Sequence, residues 1–153
     1  MNQLSENFKQ AELALAAYGS FTSAVPTQRE LEAIEFSSRQ AEVFIQNYRL
    51  VSQFNDAATG LSATVFADKD SGETFLAVRG TEISDVRDFA TGVFDIMLFG
   101  STQLHPQYHS LKTKVTEWLN DGTLSPTFTV TGHSMGGFLA IGLADDPLFT
   151  RAC

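Results

Sequence analysis

The stretch "TVTGHSMGGFLAIGLADD", residues 129–146, decides the fold that this sequence predicts. β-Branched residues precede Gly132, as in a strand, and small helix-forming residues follow Gly137. Ser134 lies two residues after Gly132 and two before Gly136. This spacing is typical of a serine on a sharp strand-to-helix turn, where side chains at the two glycine positions would clash. We therefore expect a strand, a turn that presents a serine, and a helix.

A serine presented in this way is a candidate nucleophile. Its oxygen would lie at the positive end of the following helix, where the Met135 N–H faces a developing oxyanion. A second oxyanion donor is expected from a loop at the end of another strand. The run "FLAVRGTE", residues 75–82, ends a strand-like segment, and the N–H and hydroxyl of Thr81 suit that role. Arg-Gly-Thr alone is also the composition of a plain turn.

The remaining elements predict one α/β domain. With 153 residues, 43% of them hydrophobic and 18% charged, the chain can bury a core. Thr27 and Glu30 have the spacing of a capping box, which predicts a helical stretch over residues 27–47, broken near Ser37. An Asp-Ser-Gly turn between two strand-like runs predicts a hairpin. Further helices are expected over residues 7–18, 106–120 and 135–144, and strands over 48–54, 61–67, 74–80 and 127–132.

Two of these segments together resemble the class 3 (fungal-lipase-like) lipase family of the α/β-hydrolases. The family has an Arg-Gly-Thr-type oxyanion segment and a Gly-His-Ser-x-Gly-Gly turn, which "LSATVFADKDSGETFLAVRGTE" and "FTVTGHSMGGFLA" match. The segment "LHPQYHSLKTKVTEWL" is similar to the part between them, with His105 at a family-typical histidine. The resemblance covers about residues 48–145. It implies a partial α/β-hydrolase fold: a mainly parallel central sheet, flanking helices and an N-terminal helical segment.

The resemblance also implies an activity, the hydrolysis of acyl lipid esters such as triacylglycerol or phospholipid. Ser134 would be the nucleophile that forms an acyl-serine, with Thr81 and Met135 as oxyanion donors. Residues 84–100 would form a lid, although one amphipathic helix packed on the core fits the same pattern. Asp88 would support the oxyanion segment, or be a plain surface acid. The apolar residues of this lid would be Phe89, Val93, Phe94, Ile96, Met97, Leu98 and Phe99.

The catalytic base is missing from the sequence pattern. A serine nucleophile needs a histidine oriented by a carboxylate, and in α/β-hydrolases both follow the serine. No histidine follows Ser134. His133 would point away from the serine, and His105 and His109 are expected to be structural or exposed. Asp145 and Asp146 are expected to be solvated acids at a helix end.

We therefore expect the triad Asp and His beyond residue 153, residues 1–153 to be a single, incomplete α/β-hydrolase domain, and this stretch alone to be inactive. Two other functions stay open. One is a truncated, non-catalytic lipid-binding or interaction module, and the other is a thioesterase or acyltransferase that uses the same serine.

Composition limits the partners and cofactors. The net charge of −8 disfavours nucleic acid, which would require a basic surface. The single cysteine, Cys153, cannot form an internal disulfide, and no Cys/His spacing predicts a metal site, so we expect no cofactor. No apolar run is long enough for a transmembrane anchor, which leaves transient contact with a lipid interface. The N-terminus does not resemble a signal peptide, so we expect a cytoplasmic protein or export by another route.

Overall fold

The computed structural model describes residues 3–80 and 105–149, which form five helices and four strands. The predicted helices and strands in these ranges are confirmed, with small shifts at their ends. In chain order the elements are α1 (Gln3–Ala16), α2 (Gln28–Glu32), α3 (Ser38–Asn47), β1 (Tyr48–Asp56), β2 (Leu61–Asp68), β3 (Thr74–Arg79), α4 (Pro106–Asp121), β4 (Phe128–Gly132) and α5 (Met135–Asp145).

Two capping boxes explain why the helical stretch between residues 27 and 47 is divided. The predicted box is present: Thr27 N–H donates to Glu30 Oε2 at 2.8 Å, and Glu30 N–H donates to Thr27 Oγ1 at 3.2 Å. The bond from the Thr27 N–H is the main reason that the pKa of Glu30 falls to about 2. Ser37 and Gln40 form a second box at the start of α3. Each box begins a helix, so the stretch folds as two helices.

The sheet has the strand order β1-β2-β3-β4. β1–β2 and β2–β3 are antiparallel, and β3–β4 is parallel. The expectation of a mainly parallel sheet is therefore wrong for the described strands. The reason is connection length: the turns at 57–60 and 69–73 are too short for a parallel crossover, whereas β4 is reached through α4. The second of these turns contains Asp70, Ser71 and Gly72, so the predicted hairpin is confirmed.

Helices cover both faces of the sheet. α1, α2 and α3 pack on the face that carries Phe66, Phe75 and Ala77. α4 and α5 pack on the opposite face, which carries Leu76 and Val78. Because successive side chains of a strand point to opposite faces, β3 is buried on both sides. This arrangement makes the fold α/β, as predicted.

Several predictions fall outside the described residues. They concern Thr81, Asp88 and Cys153, together with the lid predicted over residues 84–100 and all of its apolar residues.

Candidate active site

The turn between β4 and α5 has the strained backbone that the glycine spacing predicts. Ser134 lies immediately before α5 with φ 55° and ψ −125°. A positive φ is unusual for a residue with a side chain, and it is retained only where the surrounding structure enforces it. The Ser134 side chain makes no capping hydrogen bond to α5, and the residue is exposed. The turn therefore presents a serine whose oxygen is not committed to holding the helix.

Two glycines make this turn possible. A Cβ on Gly132 would collide with the carbonyl group of Gly136 and lie 2.8 Å from the Gly137 nitrogen. A Cβ on Gly136 would collide with the Val78 carbonyl oxygen. A Cβ on Gly137 would meet nothing closer than 3.2 Å, so Gly137 is less restricted than Gly132 and Gly136. The first turn of α5 thus packs directly against the end of β3, with no side chain between them.

The start of α5 and the end of β3 both lie at the serine. Gly136 N–H donates to the His133 carbonyl, and Phe138 N–H donates to the Ser134 carbonyl. The Met135 N–H is among the first amides of α5, which have no acceptor within their own helix. Thr81 is not described, but Gly80 before it is, and a Cβ at Gly80 would lie 3.3 Å from Ser134 Cβ.

The three histidines of the sequence all lie in the described ranges. His105 caps α4: it is buried, its Nδ1 accepts a hydrogen bond from the Gln107 N–H at 3.3 Å, and its ring lies edge-on to Phe138. His109 is exposed on α4. His133 is exposed beside the serine. Within residues 3–80 and 105–149, no histidine is hydrogen-bonded to Ser134, so this part of the chain places no base on the serine.

The two acids at the end of α5 differ from each other. Asp145 is exposed, as predicted, but the prediction of a solvated Asp146 is wrong, because Asp146 is only 3% exposed. Its Oδ2 accepts hydrogen bonds from Tyr108 Oη at 2.6 Å and from Lys112 Nζ at 2.7 Å. Burial favours the neutral form, but the bonds from Lys112, Tyr108 and the Leu148 N–H prevail and lower the pKa of Asp146 to about 2.

Asp146 is therefore an acid that joins α4 to α5, at the end of α5 opposite Ser134. Sequence reasoning missed this role because the partners of Asp146 lie 34 and 38 residues earlier in the chain. Only the packing of α4 against α5 brings them together.

A groove of about 480 Å³ opens beside the serine turn. It lies between α1 and the end of β4, where Thr131 Oγ1 donates to the Gln10 carbonyl at 3.0 Å. Sequence reasoning did not single out the α1 side of this site. The groove is lined by Asn7, Gln10, Ala11, Ala14, Leu15, Tyr18, Thr131, Gly132 and His133.

The described residues offer neither a metal centre nor a membrane span. Within them, no group of three or more His, Cys, Asp or Glu side chains could hold a metal ion. None of the helices in the same ranges is long and apolar enough to cross a membrane.

Comparison with known proteins shows a likeness in structure. No family model and no curated protein matches the chain. The fold is similar to the crystal structure of Lip2 lipase from Yarrowia lipolytica, with a TM-score of 0.59 and 18% sequence identity. The match covers 94% of this chain and 55% of the lipase chain, so this chain spans about half the length of that lipase. A likeness at this identity establishes the fold alone. The described helices and strands form part of an α/β-hydrolase-like fold.

Proposed function

We propose that this protein is a serine-dependent carboxylic ester hydrolase of the lipase type. The observation that carries the proposal is the backbone of Ser134, exposed at the start of α5 with a φ of 55°. Strain of this kind is concentrated at functional sites, and here the glycines on either side enforce it. The lipase-like fold supports the same assignment, with acyl lipid esters as the substrate class.

The proposed reaction proceeds through an acyl-serine. Ser134 Oγ attacks the ester carbonyl carbon while a base removes its proton, and the N–H groups of Met135 and Thr81 hold the oxyanion. The carbon–oxygen bond to the alcohol then breaks, and the alcohol takes the proton from the base. Water attacks the acyl-serine in the same way and releases the carboxylic acid. We propose that the triad His and Asp come from polypeptide beyond residue 153.

One observation favours a second candidate. Because the described part of the chain places no histidine on Ser134, a non-catalytic lipid-binding or interaction module is the alternative. A thioesterase or acyltransferase would use the same serine and differs from the first proposal only in the acyl compound it accepts.

In the test, imidazole added to the solution takes the place of the missing histidine base. The 153-residue chain is incubated with p-nitrophenyl butyrate, with and without imidazole, and acylation is located by mass spectrometry. We expect negligible turnover without imidazole and one butyryl group on Ser134 with it. The acyl-serine should disappear in Ser134→Ala.

Ser37→Ala is the matched control, because Ser37 also precedes a helix but has an ordinary φ of −68°. This variant should be acylated like the wild-type chain. Labelling that survives Ser134→Ala, or no labelling at any imidazole concentration, would contradict the enzyme and favour the binding module. Acylation by thioesters but not by oxygen esters would indicate the thioesterase or acyltransferase. If the reading frame continues past Cys153, an Asp followed by a His there should give turnover without imidazole.

A further inference from the structure

Tyr18 lies in a turn that is fixed independently of the serine. α1 ends at Ala16, and the turn that follows is closed by hydrogen bonds from Tyr18 N–H to the Leu15 carbonyl and from Gly19 N–H to the Ala16 carbonyl. Gln53 Nε2 on β1 donates to the Gly19 carbonyl at 2.7 Å. This bond attaches the turn to β1, which has no part in the serine turn. The backbone of Tyr18 is therefore held by contacts that do not involve Ser134.

The Tyr18 hydroxyl lies against Gly80, at the end of β3. A Cβ on Gly80 would lie 2.9 Å from Tyr18 Oη and 2.5 Å from the His133 carbonyl oxygen. The same position is 3.3 Å from Ser134 Cβ. Three separate parts of the chain, the turn after α1, the end of β3 and the serine turn, therefore meet around one glycine. Gly80 is also the residue immediately before Thr81, the proposed oxyanion donor.

Tyr18 also borders the serine turn from the groove. It lines the 480 Å³ groove together with Gly132 and His133, the two residues before Ser134. One side chain thus lies against the strand end that leads to the proposed oxyanion donor and lines the same groove as the turn that carries the nucleophile.

We infer that Tyr18 is a positioning residue, whose hydroxyl packs against Gly80, the residue before the proposed oxyanion donor, and keeps the end of β3 at the serine turn. Its catalytic consequence rests on the proposed function, whereas the contact itself does not. Oxyanion donors act over a narrow range of distances, and displacements of about 1 Å can slow a reaction about 100-fold. Loss of the hydroxyl should therefore affect the rate of acylation more than the binding of the ester.

The test compares Tyr18→Phe with Tyr48→Phe. Both variants lose one phenol oxygen, but Tyr48 packs on Phe44 and Phe75 and begins β1, at the end of the sheet opposite Gly80. The first measurement is amide hydrogen exchange by NMR on the 153-residue chain, which requires no activity. We expect Tyr18→Phe to exchange faster at Gly80 and Gly136 while its melting temperature stays that of the wild type. Tyr48→Phe should leave exchange at these amides unchanged.

The second measurement is the rate of Ser134 acylation with imidazole, followed over a range of p-nitrophenyl butyrate concentrations. In Tyr18→Phe the rate at saturating ester should fall by about 10-fold or more, with the half-saturating concentration unchanged. Tyr48→Phe should match the wild type in both values.

The outcomes separate this inference from the proposed function. Faster exchange together with slower acylation supports the positioning role. Faster exchange in a protein whose wild type is never acylated supports the contact and contradicts the proposed function. Unchanged exchange overturns the inference, and so does a rise in the half-saturating concentration alone, since Tyr18 would then act by contacting the ester.

Discussion

Gly136 shows most directly how single residues build the site. Its missing side chain lets the first turn of α5 rest on the Val78 carbonyl at the end of β3. A carbonyl is part of the backbone and cannot rotate away, so an added methyl group must push α5 off the sheet. The strained turn at Ser134 depends on that contact, because Ser134 immediately precedes α5 and follows its position on the sheet.

We predict that Gly136→Ala lowers the free energy of unfolding by about 2–4 kcal/mol. Its neighbour Gly137 is the control, since a methyl group there comes no closer than 3.2 Å to another atom, the Gly132 carbonyl oxygen. Alanine favours a helix over glycine by about 1 kcal/mol, so Gly137→Ala should stay within about 1 kcal/mol of the wild type. Urea unfolding of the three proteins checks this. Equal midpoints for the two variants would show that α5 can move away from β3 at little cost.

The sequence predicts those features of the site that arise between residues close together in the chain. The role of Gly132 follows from its spacing to Ser134, because a Cβ there would collide with Gly136 within the same turn of chain. The spacing also indicates a glycine at 136, but the group that a Cβ there would meet, the Val78 carbonyl, belongs to β3. Tyr18 could not be found in this way. It reaches Gly80 across 62 positions of the chain, and nothing in the residues around Tyr18 indicates that contact.

At the scale of elements, the predictable features are those whose cause lies inside the element. The box of Thr27 and Glu30 was identified from spacing alone and begins α2 as expected. The hairpin turn at 69–73 predicts the antiparallel pair β2–β3 correctly. The expectation of a mainly parallel sheet is wrong, although the short turn at 57–60 already required a second antiparallel pair. The link between α4 and α5 lay beyond sequence reasoning, because Asp146 and its partners belong to different elements.

The hydrogen bonds that Asp146 accepts from Tyr108 and Lys112 predict that the stability of the fold depends on pH. The pKa of Asp146 is about 2 in the folded chain and 3.8 ordinarily. A lowered pKa means that the folded state favours the charged carboxylate, so the contribution of Asp146 is complete above about pH 5 and is lost as the pH falls towards about 2. Because Lys112 is partly exposed, we limit the contribution to no more than about 2 kcal/mol.

We predict that Asp146→Asn is less stable than the wild type at neutral pH and that the difference shrinks as the pH falls to about 2. Urea unfolding at several pH values measures it. Other acids with a lowered pKa, such as Glu30 and Asp68, act equally in both proteins and cancel in the comparison. Asp145→Asn removes the same charge from the exposed neighbour and should not show this pattern. A constant difference between Asp146→Asn and the wild type would contradict the ion pair and indicate a packing effect.

At the scale of the whole molecule, the layer of α1, α2 and α3 leaves a groove beside β4. β4 is the last strand in the described order, and α1 lies over it beside an open groove. α1 buries one face in the core but also carries Leu4 and Phe8, which are 75% and 57% exposed. Ala11 and Leu15 continue the same face of the helix at spacings of three and four residues and line the groove. Apolar surface is thus continuous from the outer face of α1 into the groove.

We predict that this surface binds the dye 1-anilinonaphthalene-8-sulfonate, because contiguous apolar surface, unlike scattered exposed residues, attracts apolar ligands. The double variant Leu4→Gln, Phe8→Gln should lower dye fluorescence by about half or more while changing the free energy of unfolding by no more than about 0.5 kcal/mol. Ile141→Gln is the control, since Ile141 is 64% exposed but belongs to α5, on the other face of the sheet. Its substitution should leave the fluorescence close to that of the wild type. A loss of fluorescence in Ile141→Gln equal to that in the double variant would place the dye elsewhere and show that α1 does not present the dominant apolar surface of the chain.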